Sequence, residues 1–292
     1  MLNPINTRSV FGEIPEKVDF IAEFEPTKVA HKKYVINSVT GEYLDTVGHK
    51  FNCASHPFFF RGVQNVMIEN LDARDMEGVQ PIFRTARNNA WVMMDVTFPN
   101  VKVDIETSKH MTQVSYRVIA LHGIDGSCSN QVYFGNIDSF CTNGDIAGEY
   151  DSIKRKNTSQ FSLTAFIDEL RRSKQDFYEH GRKLQTWAET YVSRDQVKLL
   201  LDDIIKSTKK ADKMMNVYNM EVSNRGENLF SLYSAFTNYS SHSNDLNGFR
   251  LRDTGNDTQA QSMFNREQEV SRWVSSQQFK EFVDINLNLA TV

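Results

Sequence analysis

The sequence predicts an α+β fold: an antiparallel β-meander sheet backed by a long amphipathic helix and followed by a helical C-terminal region. The prediction centres on residues 114–144, where Val114 and Tyr116 before a Gly-rich turn, and Val132 and Phe134 after it, alternate with their neighbours as in a β-hairpin. Strand-like runs precede this hairpin, and apolar residues with helical spacing follow it. The connections between the strands are too short for parallel crossovers, so we expect an antiparallel sheet.

Three segments follow from this change of pattern. Residues 1–30 are irregular and interrupted by prolines, and we expect an N-terminal arm. Residues 31–160 should form an antiparallel β-rich core with one helix. Residues 161–292 should form a helical region that packs on the same core.

The first elements of the core are predicted from turn and cap signals. Thr40-Gly41 lies between two β-prone runs in residues 33–52 and predicts a hairpin turn in which Gly supplies a positive φ. Ser55 or His56 is expected near the N-cap of a helix, with Pro57 in its first turn. The apolar face of that helix consists of Phe60, Val63, Met67 and Leu71.

The meander is predicted from three further strand-like runs. They cover residues 82–89, 90–98 and 101–107, and Asn88-Asn89 and Pro99-Asn100 are the expected turns between them.

A long helix is predicted over residues 162–191, because apolar residues recur there every seven positions. This heptad seam comprises Leu163, Leu170, Phe177, Leu184 and Tyr191. The seam could lie along the sheet or against another helix, of this subunit or of a second one. A homo-oligomer is therefore expected.

Further helices are expected towards the C-terminus. Ser193 and Gln196 form a capping-box pattern before a second helix, at whose end Lys206, Lys209, Lys210 and Lys213 cluster. A third helix is predicted over residues 227–240, and a last pair of helices follows a polar loop.

Composition limits the functional classes. The net charge is −4, but residues 151–220 carry 14 Lys and Arg against 10 Asp and Glu, whereas residues 1–150 carry 13 against 18. No stretch approaches the roughly 18 apolar residues of a membrane span, so a cytoplasmic protein without membrane contact is expected. Three cysteines in a chain of this length suit reduced thiols.

Familiar catalytic motifs are absent. The chain has no phosphate-binding loop, no dinucleotide fingerprint, no His-Glu-x-x-His and no Gly-x-Ser-x-Gly. We therefore expect no cofactor and no enzymatic activity of the common kinds.

Two further chemical sites are compatible with the sequence. A zinc site could be assembled from His49, Cys53 and His56 with His122, Cys128 and Cys141, but no Cys-x-x-Cys pair is present, and buried cysteines with turn histidines are the simpler interpretation. Asp125 and Asp138 with His122 could perform acid–base chemistry, but the turn role of an Asp-Gly pair is favoured.

Nucleic-acid contact is the third candidate. Arg84, Arg87 and Trp91 lie on one predicted strand pair, and Lys154-Arg155-Lys156 forms a compact basic connector before the long helix. Cations neutralise phosphates and exposed aromatics stack on bases. Each aromatic also suits an ordinary core, and each cation a solvated surface.

A resemblance adds to these patterns. Residues 122–144, HGIDGSCSNQVYFGNIDSFCTNG, resemble the hallmark of domain of unknown function 932, an uncharacterised family of phage and plasmid proteins. The matching parts are His122 with Asp125-Gly126-Ser127, then Cys141-Thr142-Asn143, then the basic connector, residues 154–158.

The resemblance extends in both directions and covers about residues 33–245. Residues 39–48 are similar to the family's early hairpin, and residues 228–239 with His242 to a later helix. Gly123 and Ile124 interrupt the His-Asp pattern, and Asn238 replaces an acidic residue of the family. If that carboxylate were catalytic in the family, this chain would lack it.

The resemblance implies a mobile-element origin and a host cytoplasm. A sheet backed by a long helix with a basic connector is also similar to phage single-strand annealing proteins, so binding of single-stranded DNA in annealing or recombination is expected. The alternative is a phage protein that inhibits a host defence or transcription complex, with a host protein as its partner.

Overall fold

Two antiparallel sheets, with helices on both faces of the larger one, make up the described part of the chain, which confirms the α+β prediction. The computed structural model describes residues 10–138, 143–145, 153–155, 164–242 and 256–290, with the side chains of 10–138, 166–242 and 261–290. Within these ranges, no helix is both long and apolar enough to cross a bilayer.

The strands divide into two sets. The small sheet has the order β1 (Ala22–Pro26), β2 (Lys32–Asn37), β3 (Tyr43–Gly48). The main sheet has the order β4 (Gln80–Ala86), β5 (Trp91–Glu106), β6 (Met111–Gly123), β7 (Asn130–Asp138), β8 (Asn143–Asp145), and β9 (Ile153–Arg155) also pairs with β7.

The helices follow the order that the sequence predicts, with one addition. They are α1 (His56–Asn70), α2 (Thr164–Glu189), α3 (Arg194–Ile204), α4 (Thr208–Arg225), α5 (Leu229–His242), α6 (Asn256–Val274) and α7 (Gln277–Ala290). The addition is α4, because the lysines expected to end the second helix lie mostly in a new one that begins after Ser207.

Local signals place turns and caps correctly. Gly41 has a φ of 71° in the β2–β3 turn, and the side chain of Ser55 accepts a hydrogen bond from the backbone N–H of Phe58 at the start of α1. At α3, Ser193 and Gln196 form the complete capping box.

Two strand predictions are wrong. The N-terminal arm contains β1, which pairs with β2 from Ala22 to Pro26. Pro99-Asn100 is not a turn, because β5 runs through it and pairs with β6 on either side, with a register shift between Phe98 and Lys102. The prolyl residue, which has no N–H to donate, is accommodated in this bulge.

The main sheet is buried on both faces, which is why its central strands read as nearly continuous apolar runs. Val118 and Phe134 point into the large core shared with α1 and α2. Ile119 and Tyr133 point to the opposite face, where Phe264 of α6 packs on them.

The heptad seam of α2 lies along the sheet, one of the alternatives that the sequence leaves open. Leu170, Phe177 and Leu184 are buried, and the Phe177 ring lies 5.6 Å from that of Tyr116. Tyr191 falls after the end of α2 and is exposed, and Leu163 lies outside the described residues. Because the seam is used within the chain, the homo-oligomer prediction loses the observation that motivated it.

A glycine sets the approach of α2 to β5. A Cβ atom built on Gly181 would lie 2.8 Å from both Cγ atoms of Val103. We predict that Gly181→Ala lowers the free energy of unfolding by about 1–3 kcal/mol through overpacking, although alanine is the better helix former. Urea denaturation measures this change.

The matched variant for this test is Gly181→Ala with Val103→Ala. Removing the valine methyls provides the missing space, so the double variant should lose less stability than the two single losses combined. A Gly181→Ala protein more stable than the wild type would contradict the prediction.

Candidate nucleic-acid interface

One end of the main sheet gathers several of the residues that the sequence singles out. Ala86 pairs with Trp91 and Trp91 with Gly123, while Gln131 pairs with both Leu121 and Lys154. The β4–β5 turn, the β6–β7 turn and strand β9 therefore share one end of the sheet.

The small sheet docks on this end through charge and apolar contacts. Arg87 donates from Nε to Asp125 and from Nη2 to Asp45 of β3, over 2.5 and 3.0 Å. Val47 and Phe51 lie against Gly126 in the β6–β7 turn. Asp125 also accepts a hydrogen bond from the backbone of Ser127, so its turn role is confirmed.

One end of the small sheet, where the β1–β2 turn meets the end of β3, carries a cluster of basic side chains that we call the basic tip. The basic tip consists of Lys28, His31, Lys32, Lys33, His49 and Lys50.

A backbone hydrogen bond connects the two segments of the basic tip that carry the histidines. The N–H of His49 donates to the carbonyl oxygen of His31, and the two imidazole rings lie 6.3 Å apart. Lys33 Nζ lies 3.8 Å from the centroid of the Phe24 ring, which fixes one lysine beside an aromatic face.

The lysines of the basic tip are not neutralised by carboxylates. No Asp or Glu occurs in residues 26–34 or 46–51. In the described part of the chain, Lys28, Lys32, Lys33 and Lys50 form no ion pair. Their charge is therefore available to an anion from outside.

Exposed aromatic rings adjoin the basic tip on the outer face of the small sheet. Tyr34 and Tyr43 are 38% and 53% exposed, and their rings lie 5.7 Å apart, edge to face. Lys32 and Tyr34 are two residues apart on β2 and thus share a face of the strand.

The arginines predicted from sequence have partners within the chain. Arg84 Nη1 lies 2.7 Å from Asp95 Oδ2, and Arg87 pairs with Asp125 and Asp45. Trp91 is only 3% exposed and packs near Phe264, which leaves its ring unavailable to a nucleobase. The described contacts of these three side chains therefore stabilise the fold.

The basic connector is only partly described. Lys154 and Arg155 belong to β9 and pair with Gln131 and Asn130, and Lys156 lies outside the described residues. The backbone places the first two at the same end of the main sheet as Arg87.

Two buried histidines meet beneath this end. His56 and His122 are fully buried, with their Nδ1 atoms 2.7 Å apart, and His56 Nε2 lies 3.0 Å from the carbonyl oxygen of Asn89. His56 must donate from Nε2 to that carbonyl, so its Nδ1 accepts the proton of His122 Nδ1. Burial lowers the pKa of His56 to about 4, and it is neutral at pH 7.

The residues of the possible zinc site do not form a metal-binding group in the described part of the chain. No group of three or more His, Cys, Asp or Glu side chains that could hold a metal ion occurs in the described ranges, and Cys141 lies outside them. Burial raises the pKa of Cys53 to about 11 and of Cys128 to about 12, so both thiols are protonated at neutral pH.

The acid–base set is also dispersed. Asp138 pairs with Val114, eight residues along β6 from His122, which corresponds to about 26 Å of strand. The set of Asp125, Asp138 and His122 therefore does not form one site.

No prediction from the sequence included the basic tip, although a signal for it was present. The acid-free run over residues 26–41 holds three lysines and a histidine. A charge count over residues 1–150 averages this run with acidic segments elsewhere. In addition, the β1–β2 hairpin was not predicted, because residues 1–30 were assigned to an irregular arm.

The buried histidines generate a pH prediction. In the unfolded chain His56 takes up its proton near pH 6.5, and in the folded protein only near pH 4. Between these values the unfolded state holds more protons, so the free energy of unfolding falls as the pH drops from 6.5 to 4, by about 3 kcal/mol for His56. Stability to urea should therefore be lower at pH 4.5 than at pH 7.5.

The His56→Gln variant tests this assignment. It should show a smaller loss of stability between pH 7.5 and 4.5 than the wild type. Some loss should remain, because burial and Lys183 also lower the pKa of His180, to about 3. An equal loss in both proteins would show that His56 is not the titrating group.

Comparison with known proteins identifies one family. No curated protein and no solved structure matches the chain. The family described as Domain of unknown function (DUF932) matches residues 44–277, from β3 to the first residue of α7, and so includes the whole described main sheet. The chain therefore belongs to the DUF932 family.

Proposed function

We propose that this protein binds single-stranded DNA through the basic tip and the exposed tyrosines beside it, as a protein of DNA metabolism. The observation that carries the proposal is the group of four lysines without a carboxylate partner among the described residues. Lys32 shares a strand face with Tyr34, whose ring lies 5.7 Å from that of Tyr43.

The two kinds of side chain suit the two parts of a nucleotide. Lysines bind phosphates and release counterions, which makes the affinity strongly dependent on salt. Tyrosine rings stack on bases, which are accessible in a single strand but already stacked and paired in a duplex. Contacts of these kinds do not read sequence, so we expect little base preference.

The main test removes the exposed lysines of the basic tip. We predict that the triple variant Lys28→Gln, Lys32→Gln, Lys50→Gln binds an oligothymidylate at least about tenfold more weakly at low salt. The slope of log affinity against log salt should fall by about 2, since each lost phosphate contact removes about 0.7. Filter binding or fluorescence anisotropy across a salt series measures both quantities.

A matched control removes the same charge elsewhere. Lys17, Lys206 and Lys209 are exposed, form no ion pair among the described residues and lie outside the basic tip. The variant Lys17→Gln, Lys206→Gln, Lys209→Gln should keep most of the affinity. Equal weakening in both triple variants would show a response to net charge and would contradict the basic tip as the site.

The tyrosines test the preference for single strands. We predict that Tyr34→Ala weakens binding of single strands by about fivefold or more, because a stacked base contributes about 1–3 kcal/mol. Binding of duplex DNA of the same length should change less. The comparison uses both substrates in one anisotropy experiment.

A failure of the proposal would be unambiguous. If wild-type protein retains no single-stranded DNA at low salt, the DNA-binding function is excluded. A stoichiometric protein partner that survives nuclease treatment during purification would then favour the interaction-protein hypothesis from the sequence.

A further inference from the structure

A second candidate site lies among the helices, away from the basic tip. A pocket of about 760 Å³ opens between α2, α5 and α7, which is within the range of small-molecule sites. We call it the helical pocket. Its lining includes Asp176, Glu179, His180, Lys183, Trp187, Tyr233, Phe279, Lys280, Asp284 and Leu287.

The floor of the helical pocket is aromatic and uncharged. The Trp187 ring lies 5.6 Å from that of Tyr233 and 5.9 Å from that of Phe279, edge to face in both cases. His180 Nε2 lies 3.4 Å from the Tyr233 hydroxyl, and burial together with Lys183 lowers the pKa of His180 to about 3. The imidazole is therefore neutral at physiological pH.

The rim of the helical pocket carries charges of both signs, and Glu179 also lies 3.9 Å from Arg182. Asp176 and Glu179 come from α2 and Asp284 from α7, against the ammonium groups of Lys183 and Lys280. Asp284 forms no ion pair within the described ranges of the chain. The Asp284 carboxylate beside an aromatic floor suits a cation better than a phosphate or carboxylate.

The chain already places one of its own cations over this floor. Lys183 Nζ lies 5.0 Å from the centroid of the Trp187 ring. A cation at this distance from an indole face is attracted by the ring quadrupole. The floor is therefore a position that an ammonium group occupies in this structure.

The same protein shows a complete ammonium site of this kind nearby in the helical region. Lys210 Nζ lies 4.6 Å from the Tyr239 ring, 4.8 Å from the Trp273 ring and 2.6 Å from a carboxylate oxygen of Glu269. Aromatic faces and a carboxylate thus hold an internal ammonium. The helical pocket has both parts and additional open volume.

We propose that the helical pocket binds a small aliphatic diamine or polyamine. One ammonium group lies near the aromatic floor and the other near Asp284. The methylene chain between them packs on Val274, Val283 and Leu287. The proposal is independent of the DNA-binding function, because the helical pocket shares no residue with the basic tip.

The experiment is calorimetric titration of nucleic-acid-free protein with putrescine, spermidine and butylamine at low salt. We expect saturable binding of the two polycations, tighter than that of butylamine, which has one charge. Asp284→Asn should weaken putrescine binding by about threefold, the scale of an exposed ion pair. Glu16→Gln, an exposed acidic residue far along the chain, is the matched control and should leave the affinity unchanged.

Lys183→Met gives the sharpest test, because it removes the internal cation that competes for the floor. Putrescine should bind this variant about threefold more tightly than the wild type. Circular dichroism checks that both exposed variants retain their fold. Absence of saturable heat with either polycation, or affinities of Asp284→Asn and Lys183→Met that equal the wild type, would overturn the proposal.

Discussion

The burial of the main sheet on both faces is the constraint on which the rest of the structure depends. A charge on a central strand cannot reach water there, so it must be paired inside the protein. Arg117 on β6 binds both carboxylate oxygens of Asp95 on β5 over 2.8 Å, and reaches Glu267 of α6 over 3.2 Å. Burial would raise the pKa of Asp95, but Arg117 and Arg84 outweigh it and hold that pKa below its usual value. This network fixes α6 on the second face, and loss of one partner from such a pair typically costs about 3–5 kcal/mol.

A second buried ion network attaches the helical region at the opposite end of the sheet. Arg225 of α4 is fully buried, and it binds Asp138 at the end of β7 over 2.8 Å and Glu221 over 2.9 Å. Asp138 also accepts a hydrogen bond from Thr112 of β6. The carboxylate that the sequence made available for acid–base chemistry is therefore an anchor for a helix. The two networks hold the helical region on the sheet at separate points.

The features of the fold that could be predicted are those that depend on residues close together in the sequence. The Ser55 cap, the Ser193 and Gln196 capping box and the positive φ of Gly41 depend on residues within a turn, so the local pattern is sufficient. Pro99-Asn100 has the composition of a turn, but β6 is long enough to pair on both sides of it and converts it into a bulge. From sequence alone, Trp91 could lie at the surface or in the core, and its burial depends on the packing of α6. The ion pair of Arg87 depends on Asp125, which is 38 residues away. Contacts of that kind depend on the tertiary structure and could not be predicted from a single sequence.

The clustering of unpaired lysines is the strongest argument that the basic tip binds something outside the chain. Several buried or half-buried cations have a carboxylate partner, because a buried charge without one is costly; they include Arg84, Arg117, Lys174 and Arg225. The lysines of the basic tip need no carboxylate partner, because they are at the surface, where water solvates single charges. Bringing them together creates like-charge repulsion that lowers stability and that the small sheet does not need in order to form. An anionic partner removes that repulsion on binding, so the feature that is unfavourable for the isolated fold becomes favourable in a complex with a polyanion.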